Sequence, residues 1–326
     1  MKRSSWMLSS CVCAGLLLAG TASAQDKKEA SKPPAASPAA AGSLIPRAAL
    51  FGNPDRISPS LSPDGKWLAY IAPVDGVLNV WVGPADKPDA AKPVTKDTVR
   101  GVREYSWLFN NTHLVYRQDV GGDENFKIYA VDVAQGTAKD LTPIEAIIGE
   151  DGQPMKLPEN DKLLRPNAEF QQISERFPDE ILIGLNSRFP PVYHDIHRVN
   201  VKTGDMKLVY KNDQYAGIIT DDDYNIRFAV EPMPDGGTEI SQYVGNEFKP
   251  FQKIGFEDAL TTNPIGFDKS GKILYMVDTR SRNTAALKAI DLTTGKESIL
   301  AEDAKTDVAG MVIHPTEKTI QAVSFN

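Results

Sequence analysis

The chain has 326 residues, of which 41% are hydrophobic and 24% charged, with a formal net charge of −7. That acidic balance gives it no electrostatic reason to hold nucleic acid or an anionic lipid surface, and no Lys/Arg cluster offsets it. Its two cysteines, Cys11 and Cys13, both fall near the N-terminus, which excludes a disulfide framework or a cysteine metal site in the rest of the chain.

Residues 1–24 read as a secretory signal peptide. Lys2 and Arg3 form a short basic start, Cys11 to Gly20 with Leu16, Leu17 and Leu18 form an apolar stretch, and Ala22-Ser23-Ala24 is a small-residue cleavage pattern. The apolar stretch is far shorter than the ~20 residues of a membrane span. Cleavage before Gln25 predicts a mature, cysteine-free chain, exported to the periplasm or the medium and free of the membrane. A retained N-terminal anchor is the alternative. Leu8-Ser9-Ser10-Cys11 precedes the leucine run instead of following it, which argues against lipidation. Residues 25–42, "QDKKEASKPPAASPAAAG", lack any large apolar side chain and read as a disordered tether. From 43 to 326 the composition is that of a soluble globular domain.

That domain carries a repeat. Ser62–Tyr70, "SPDGKWLAY", sets a tight polar turn before a strand that is apolar on both faces. Fainter versions centre near Asn110, Asp179, Asp222, Ser270 and Thr316, at spacings of 46, 69, 43, 48 and 46 residues counted from Asp64. The long gap holds an insertion, about 144–170, rich in charge, Asn and Pro. Asp132–Gly136, Asn200–Gly204 and Asp291–Gly295 repeat a second pattern, 22, 21 and 21 residues after their turns, each predicting a hairpin with Gly at positive φ. About four strands in ~45 residues is the size of a β-propeller blade, and an apolar strand on both faces is what stacked blades require. The predicted fold class is all-β, a β-propeller of four-stranded blades. A two-sheet sandwich would not predict a unit of near-constant length. Helix is expected only near 45–51 and in part of 144–175.

Three stretches carry a resemblance: "PSLSPDGKWLAYIA" (59–72), "GGDENFKIYAVDVAQGTAKDLTP" (121–143) and "FPDEILIGLNSRFPPVYHDIHRVNVKTG" (177–204). Together they resemble the N-terminal propeller of the prolyl oligopeptidase family of serine peptidases, in its acylaminoacyl-peptidase and dipeptidyl-aminopeptidase-like branch, over about 47–326. The resemblance implies seven blades followed by an α/β-hydrolase domain with a Ser-Asp-His triad, the propeller limiting access to peptides. Against that plan the sequence holds about five and a half blades, a truncated propeller without the hydrolase domain. The expectation is therefore the gating and substrate-selecting portion of an exported serine peptidase, its partners a downstream α/β-hydrolase domain and peptide substrates, with no cofactor. With blades missing, such a fragment is expected to be marginally stable. The alternative is a non-enzymatic periplasmic propeller that binds a protein partner.

Candidate chemistry is sparse. No serine stands in a Gly-x-Ser-x-Gly elbow, and Ser270 sits in a blade turn, so no catalytic residue is expected. His194 and His197 lie three apart in a predicted strand and point to opposite faces, which argues against shared metal ligation; His113 and His314 lie in or beside turns and are expected to be solvated. Asp221-Asp222-Asp223 lacks the spaced ligands and the Gly of a calcium loop and reads as a solvated turn. No metal site is expected. Asp123 and Glu124, in Gly121–Asn125, are the candidate site residues: by the resemblance they lie near the propeller–hydrolase boundary, where a carboxylate meets an arginine of that domain or the amino terminus of a substrate.

Overall fold

The computed structural model describes residues 45–326; the signal-peptide and tether readings fall outside the described residues. The described residues fall into two units, 45–52 and Asn53–Asn326. Of the first, the described part holds a single short helix, α1 (Arg47–Phe51), where the sequence predicts one.

The second unit is all-β. Five four-stranded sheets follow one another along the chain, each antiparallel and each in simple chain order. Blade 1 comprises β1 (Ile57–Leu61), β2 (Trp67–Val74), β3 (Val77–Pro84) and β4 (Lys92–Pro93). Blade 2 comprises β5 (Tyr105–Trp107), β6 (His113–Gln118), β7 (Lys127–Asp132) and β8 (Thr137–Asp140). Blade 3 holds β9 (Ala168–Ile173), β10 (Glu180–Leu185), β11 (Asp195–Asn200) and β12 (Met206–Tyr210). Blade 4 holds β13 (Gly217–Thr220), β14 (Ile226–Pro232), β15 (Thr238–Val244) and β16 (Glu247–Ile254). Blade 5 holds β17 (Asn263–Phe267), β18 (Ile273–Asp278), β19 (Ala286–Asp291) and β20 (Glu297–Ala301), and a sixth, two-stranded sheet pairs β21 (Val308–Ile313) with β22 (Ile320–Phe325). The segment between β8 and β9 forms turns and isolated bridges, Ile148 with Pro154 and Lys156 with Leu163, not the partial helix its sequence suggests.

Alternation of side chains along a strand decides which blade each residue serves. In β6, Leu114 and Tyr116 face blade 1, against Ala69, Ile71 and Val80. Val115, between them, faces blade 3, against Ile181 and Ile183. In β10, Leu182 points forward to Ile218 and Ala229 of blade 4. In β14, Phe228 points forward again, to Leu274 and Met276 of blade 5. The second strands of blades 2, 3 and 4 are thus shared walls between two cores.

The turns obey one rule under different residues. Ser62 Oγ donates to Asp64 Oδ1 at 2.7 Å, and Asp64 Oδ1 accepts the Lys66 N–H at 3.2 Å. In blade 5, Asp268 Oδ1 accepts the N–H groups of Lys272 and Ile273 at 3.0 and 2.8 Å, and Ser270 Oγ donates to its other oxygen. Asn110 Oδ1 accepts those of Thr112 and His113, both at 3.0 Å. In the sixth sheet His314 Nδ1 accepts two earlier N–H groups of its turn, from Glu317 N at 3.0 Å and Thr316 N at 3.3 Å. The Gly hairpins behave likewise: Asp132, Asn200 and Asp291 each accept two backbone N–H groups, and Gly136, Gly204 and Gly295 follow at φ 62°, 83° and 72°.

Turns also clasp their neighbours. Asp64 N donates to Asn111 Oδ1, and Asn110 Nδ2 to Asp179 Oδ1, both at 2.9 Å. Asp221–Asp223 is no freely solvated acidic run. Arg227 holds Asp221 at 2.8 Å, Lys318 holds Asp222 at 3.3 Å, and Arg176 of blade 3 pairs with Asp223. The sequence reading missed this because Arg176 and Lys318 come from other sheets.

Phe228 is fully buried at the junction of blades 4 and 5, beside Phe251 and Phe267 with ring centroids 5.1 and 6.0 Å away. Phe228→Ala is expected to destabilise the chain by about 3–5 kcal/mol. A urea titration of the two proteins checks this; an unchanged midpoint would mean that the blade 4–5 core does not contribute as described.

Candidate functional site

Antiparallel order gives the blades two ends. First-to-second and third-to-fourth strand turns lie at one end; second-to-third hairpins and blade-to-blade crossovers lie at the other. Gly121–Asn125 belongs to the second end, in the hairpin between β6 and β7, and the long segment between β8 and β9 belongs there too.

Three residues of this hairpin take left-handed conformations: Gly121 at φ 67°, Gly122 at 89° and Glu124 at 58°. Glycine adopts such angles freely, and a Cβ at Gly122 would come within 3.4 Å of the Arg100 guanidinium. Glu124 has no such freedom, and its backbone is held by its neighbours. Asp119, with a side chain only 5% exposed, accepts the Glu124 N–H at 3.2 Å on one oxygen and Arg100 Nε at 3.4 Å on the other. Asp123 Oδ1 accepts the N–H groups of Val120 and Asn125 at 3.3 and 3.2 Å.

The segment before β9 comes back to the same hairpin. Arg165 Nη1 reaches Asp123 Oδ2 at 3.3 Å, Asn167 Oδ1 accepts the Phe126 N–H at 3.2 Å, and Lys127 Nζ bridges Asp140 at 3.0 Å and Glu145 at 2.7 Å. Its other side is tied to blade 3, through Asn167 N to Asn186 Oδ1 at 2.6 Å and Ile148 N to Ser187 O at 3.0 Å.

The two candidate residues therefore separate. Asp123 is used up inside its own loop and by Arg165. Glu124 is exposed, and its carboxylate makes no hydrogen bond or ion pair with any described residue. Such a group can accept an ammonium or a guanidinium from another molecule or domain.

Other charged groups of this end escaped the sequence reading, because their partners are distant in sequence or depend on the fold. Arg188 makes a two-pronged contact with Asp195, both bonds at 2.7 Å. Asp278, with a side chain 0% exposed, is gripped by Arg280 and Lys288 at 2.7 and 2.8 Å. Burial pushes its carboxyl up, but the bonds from Arg280 and Lys288 overcome that and hold it well below the usual carboxylate range. Arg117 stacks over Phe126 at 4.6 Å and lies 3.8 Å from Glu104. The two histidines have different partners: His194 Nδ1 lies 4.0 Å from Glu169, and His197 Nδ1 lies 3.2 Å from the Asp195 carbonyl. Ser270 is occupied in its turn, and among the described residues no group of three or more His, Cys, Asp or Glu side chains is arranged to hold a metal ion.

Comparison with known proteins gives a consistent setting. No family model matches the chain. Dipeptidyl aminopeptidase BIII of Pseudoxanthomonas mexicana is 43% identical over 314 residues, covering 95% of this chain and 43% of the relative. Dipeptidyl peptidase family member 6 of Caenorhabditis elegans is 29% identical over 294 residues, covering 86% of the chain and 37% of the relative. The chain thus spans less than half the length of these relatives. Among solved structures, one from a structural and mechanistic analysis of two prolyl endopeptidases superposes with a TM-score of 0.50 at 12% identity, covering 75% of this chain and 35% of that one, and agrees in fold.

His194 provides a titration check on the geometry. Burial pushes its imidazole below the ordinary histidine value; Glu169 opposes this and Arg117 adds to it. The ring is expected to titrate below about 6.5, and Glu169→Gln to lower it further, as followed by NMR. Because the native state binds the proton less readily, this group's contribution to stability is lost as pH falls through the ordinary histidine range. A pKa unmoved by Glu169→Gln would contradict the placement.

Proposed function

The chain is a β-propeller of the prolyl oligopeptidase family, and on that premise we propose that it is the substrate-selecting and gating part of an exported serine peptidase that hydrolyses peptides. The chemistry belongs, in this reading, to an α/β-hydrolase domain in the remaining length that the relatives have beyond the matched segment. The observation that carries the proposal is the 314-residue match at 43% identity to a dipeptidyl aminopeptidase. Export rests on the pattern of residues 1–24. The non-enzymatic, partner-binding propeller has no comparable observation behind it.

The loop end suits a domain boundary. Val120, Phe189, Val192, Phe256 and Leu260, all in loops at this end, are exposed, as are Ile148 and Leu163 of the β8–β9 segment. Among the described residues, the exposed large apolar side chains at or next to the turns of the opposite end are Leu61, Trp67, Val244 and Val312. Apolar side chains left in water at one end favour that end as a contact surface. We assign the hydrolase domain to it, with Glu124 at the boundary as acceptor for the amino group of a peptide. A carboxylate fits that task because an ammonium offers donors and opposite charge.

A fusion tests the proposal: this chain's matched segment replaces the corresponding segment of dipeptidyl aminopeptidase BIII. The 326-residue chain alone is expected to release nothing from a chromogenic dipeptide substrate. The fusion is expected to cleave it, and to discriminate against a long folded polypeptide with the same amino-terminal residues. Glu124→Gln should raise KM by roughly tenfold to a hundredfold, the range of a lost hydrogen bond to a charged group. A folded fusion that is inactive, or that cleaves both substrates equally, would sink the gating reading.

A further inference from the structure

The repeat has one irregular spacing, the 69 residues between the turns at Asn110 and Asp179, where the other spacings run from 43 to 48. The extra length falls between β8 and β9, and it does not hang free. It returns to the Gly121–Asn125 hairpin through the Arg165–Asp123 ion pair and the Asn167–Phe126 hydrogen bond, and Ala168 N closes on Phe126 O at 2.8 Å. We propose that Arg165 is a positioning residue, supplied by this insertion, that sets the Glu124 carboxylate to receive the amino terminus of a peptide. The inference rests on the reading of Glu124 given above.

Each step of the argument is local. Glu124 is left-handed at φ 58°, a conformation that residues with a Cβ leave unless they are held. Two groups hold the loop that way. Asp119 takes the Glu124 N–H, and Asp123 takes the N–H groups on both sides of the bend, at Val120 and Asn125. With one oxygen committed to the backbone, Asp123 offers the other to Arg165, which fixes the orientation of its carboxylate and of the loop bonded to it. Charges facing the hairpin from neighbouring elements are already engaged: Arg100 with Asp119, and Lys127 with Asp140 and Glu145. Arg165 is thus the one cation shown on Asp123 among the described residues.

The Arg165 and Asp123 side chains are 39% and 30% exposed, so the pair is partly screened and its influence is moderate. In the fusion, Arg165→Ala is expected to raise KM for a dipeptide substrate with a free amino group by up to about fivefold, the range of an exposed ion pair, with little change in kcat. A substrate with a blocked amino group should not respond. Arg165→Lys, which keeps the charge, should restore part of the loss. Hydrogen exchange on the 326-residue chain gives a readout without catalysis: Arg165→Ala should speed exchange at the Glu124 and Asn125 amides and leave β6 and β7 unchanged. Exchange that rises throughout blade 2 would reduce Arg165 to a structural brace and overturn the inference. So would unchanged loop exchange. If Glu124→Gln raises KM while Arg165→Ala does not, positioning by Arg165 fails alone; if Glu124→Gln has no effect, the reading of Glu124 fails and the inference with it.

Discussion

No blade of this chain can bury itself. Its second strands are apolar on both faces, and alternation sends successive side chains to different neighbours, so each four-stranded sheet has two surfaces that water must leave. Leu182 and Ile183, adjacent in β10, belong to different cores. Fully burying one such side chain contributes about 1.5–3 kcal/mol, and much of it is lost if either flanking blade is absent. The fold is in this sense one-dimensional: stability comes from interfaces between successive blades more than from any blade alone. The hydrogen bonds between turns follow the same order. Asp64 reaches Asn111 of the next blade, and Asn110 reaches Asp179 of the one after.

This constraint explains why the architecture was legible in the sequence. Both-face apolar strands and Gly hairpins are local patterns, and stacking repeats them at a regular spacing. Their fading along the chain has a chemical reason. The turn needs an acceptor for two backbone N–H groups, and a carboxylate, an amide oxygen or an unprotonated ring nitrogen each supplies one. Asp268 and Asn110 are therefore equivalent in role though not in letter, and His314 serves earlier positions of its own turn. A reader matching "SPDG" sees weak copies; a reader matching acceptors sees the same turn.

The site was legible only in part. The family resemblance drew attention to Asp123 and Glu124 within Gly121–Asn125, but nothing in the letters distinguished the one from the other. Their difference arises from Arg165, which is 42 residues further on and brought back by the β8–β9 segment. Asp221–Asp223 shows the same limit, since two of its three cations, Arg176 and Lys318, come from other sheets. Long-range pairing of charges has no period, so a repeat-based reading passes over it. The partial helix expected within 144–175 failed for a related reason. That segment satisfies its backbone mainly by folding on itself, as Ile147 does with Leu164 and Met155 with Ile147, and in part on the β10–β11 hairpin, as Ile148 does with Ser187, which leaves it no need of helical hydrogen bonds.

What the loop end gains from this arrangement is a free carboxylate carried on a fixed backbone. A free carboxylate on a flexible loop would lose side-chain and backbone entropy on meeting a cation, and that loss subtracts directly from affinity. Here the backbone part of that ordering is done during folding: Asp119, Asp123 and Arg165 hold the backbone under Glu124, and blade stacking holds the strands beneath them. The unfavourable left-handed angle at Glu124 persists because several contacts over-determine it, a pattern associated with sites that must present one group in one direction. Two propeller features therefore meet at one residue. Regular blades supply rigidity, and the single break in their spacing supplies the contact that aims the charge.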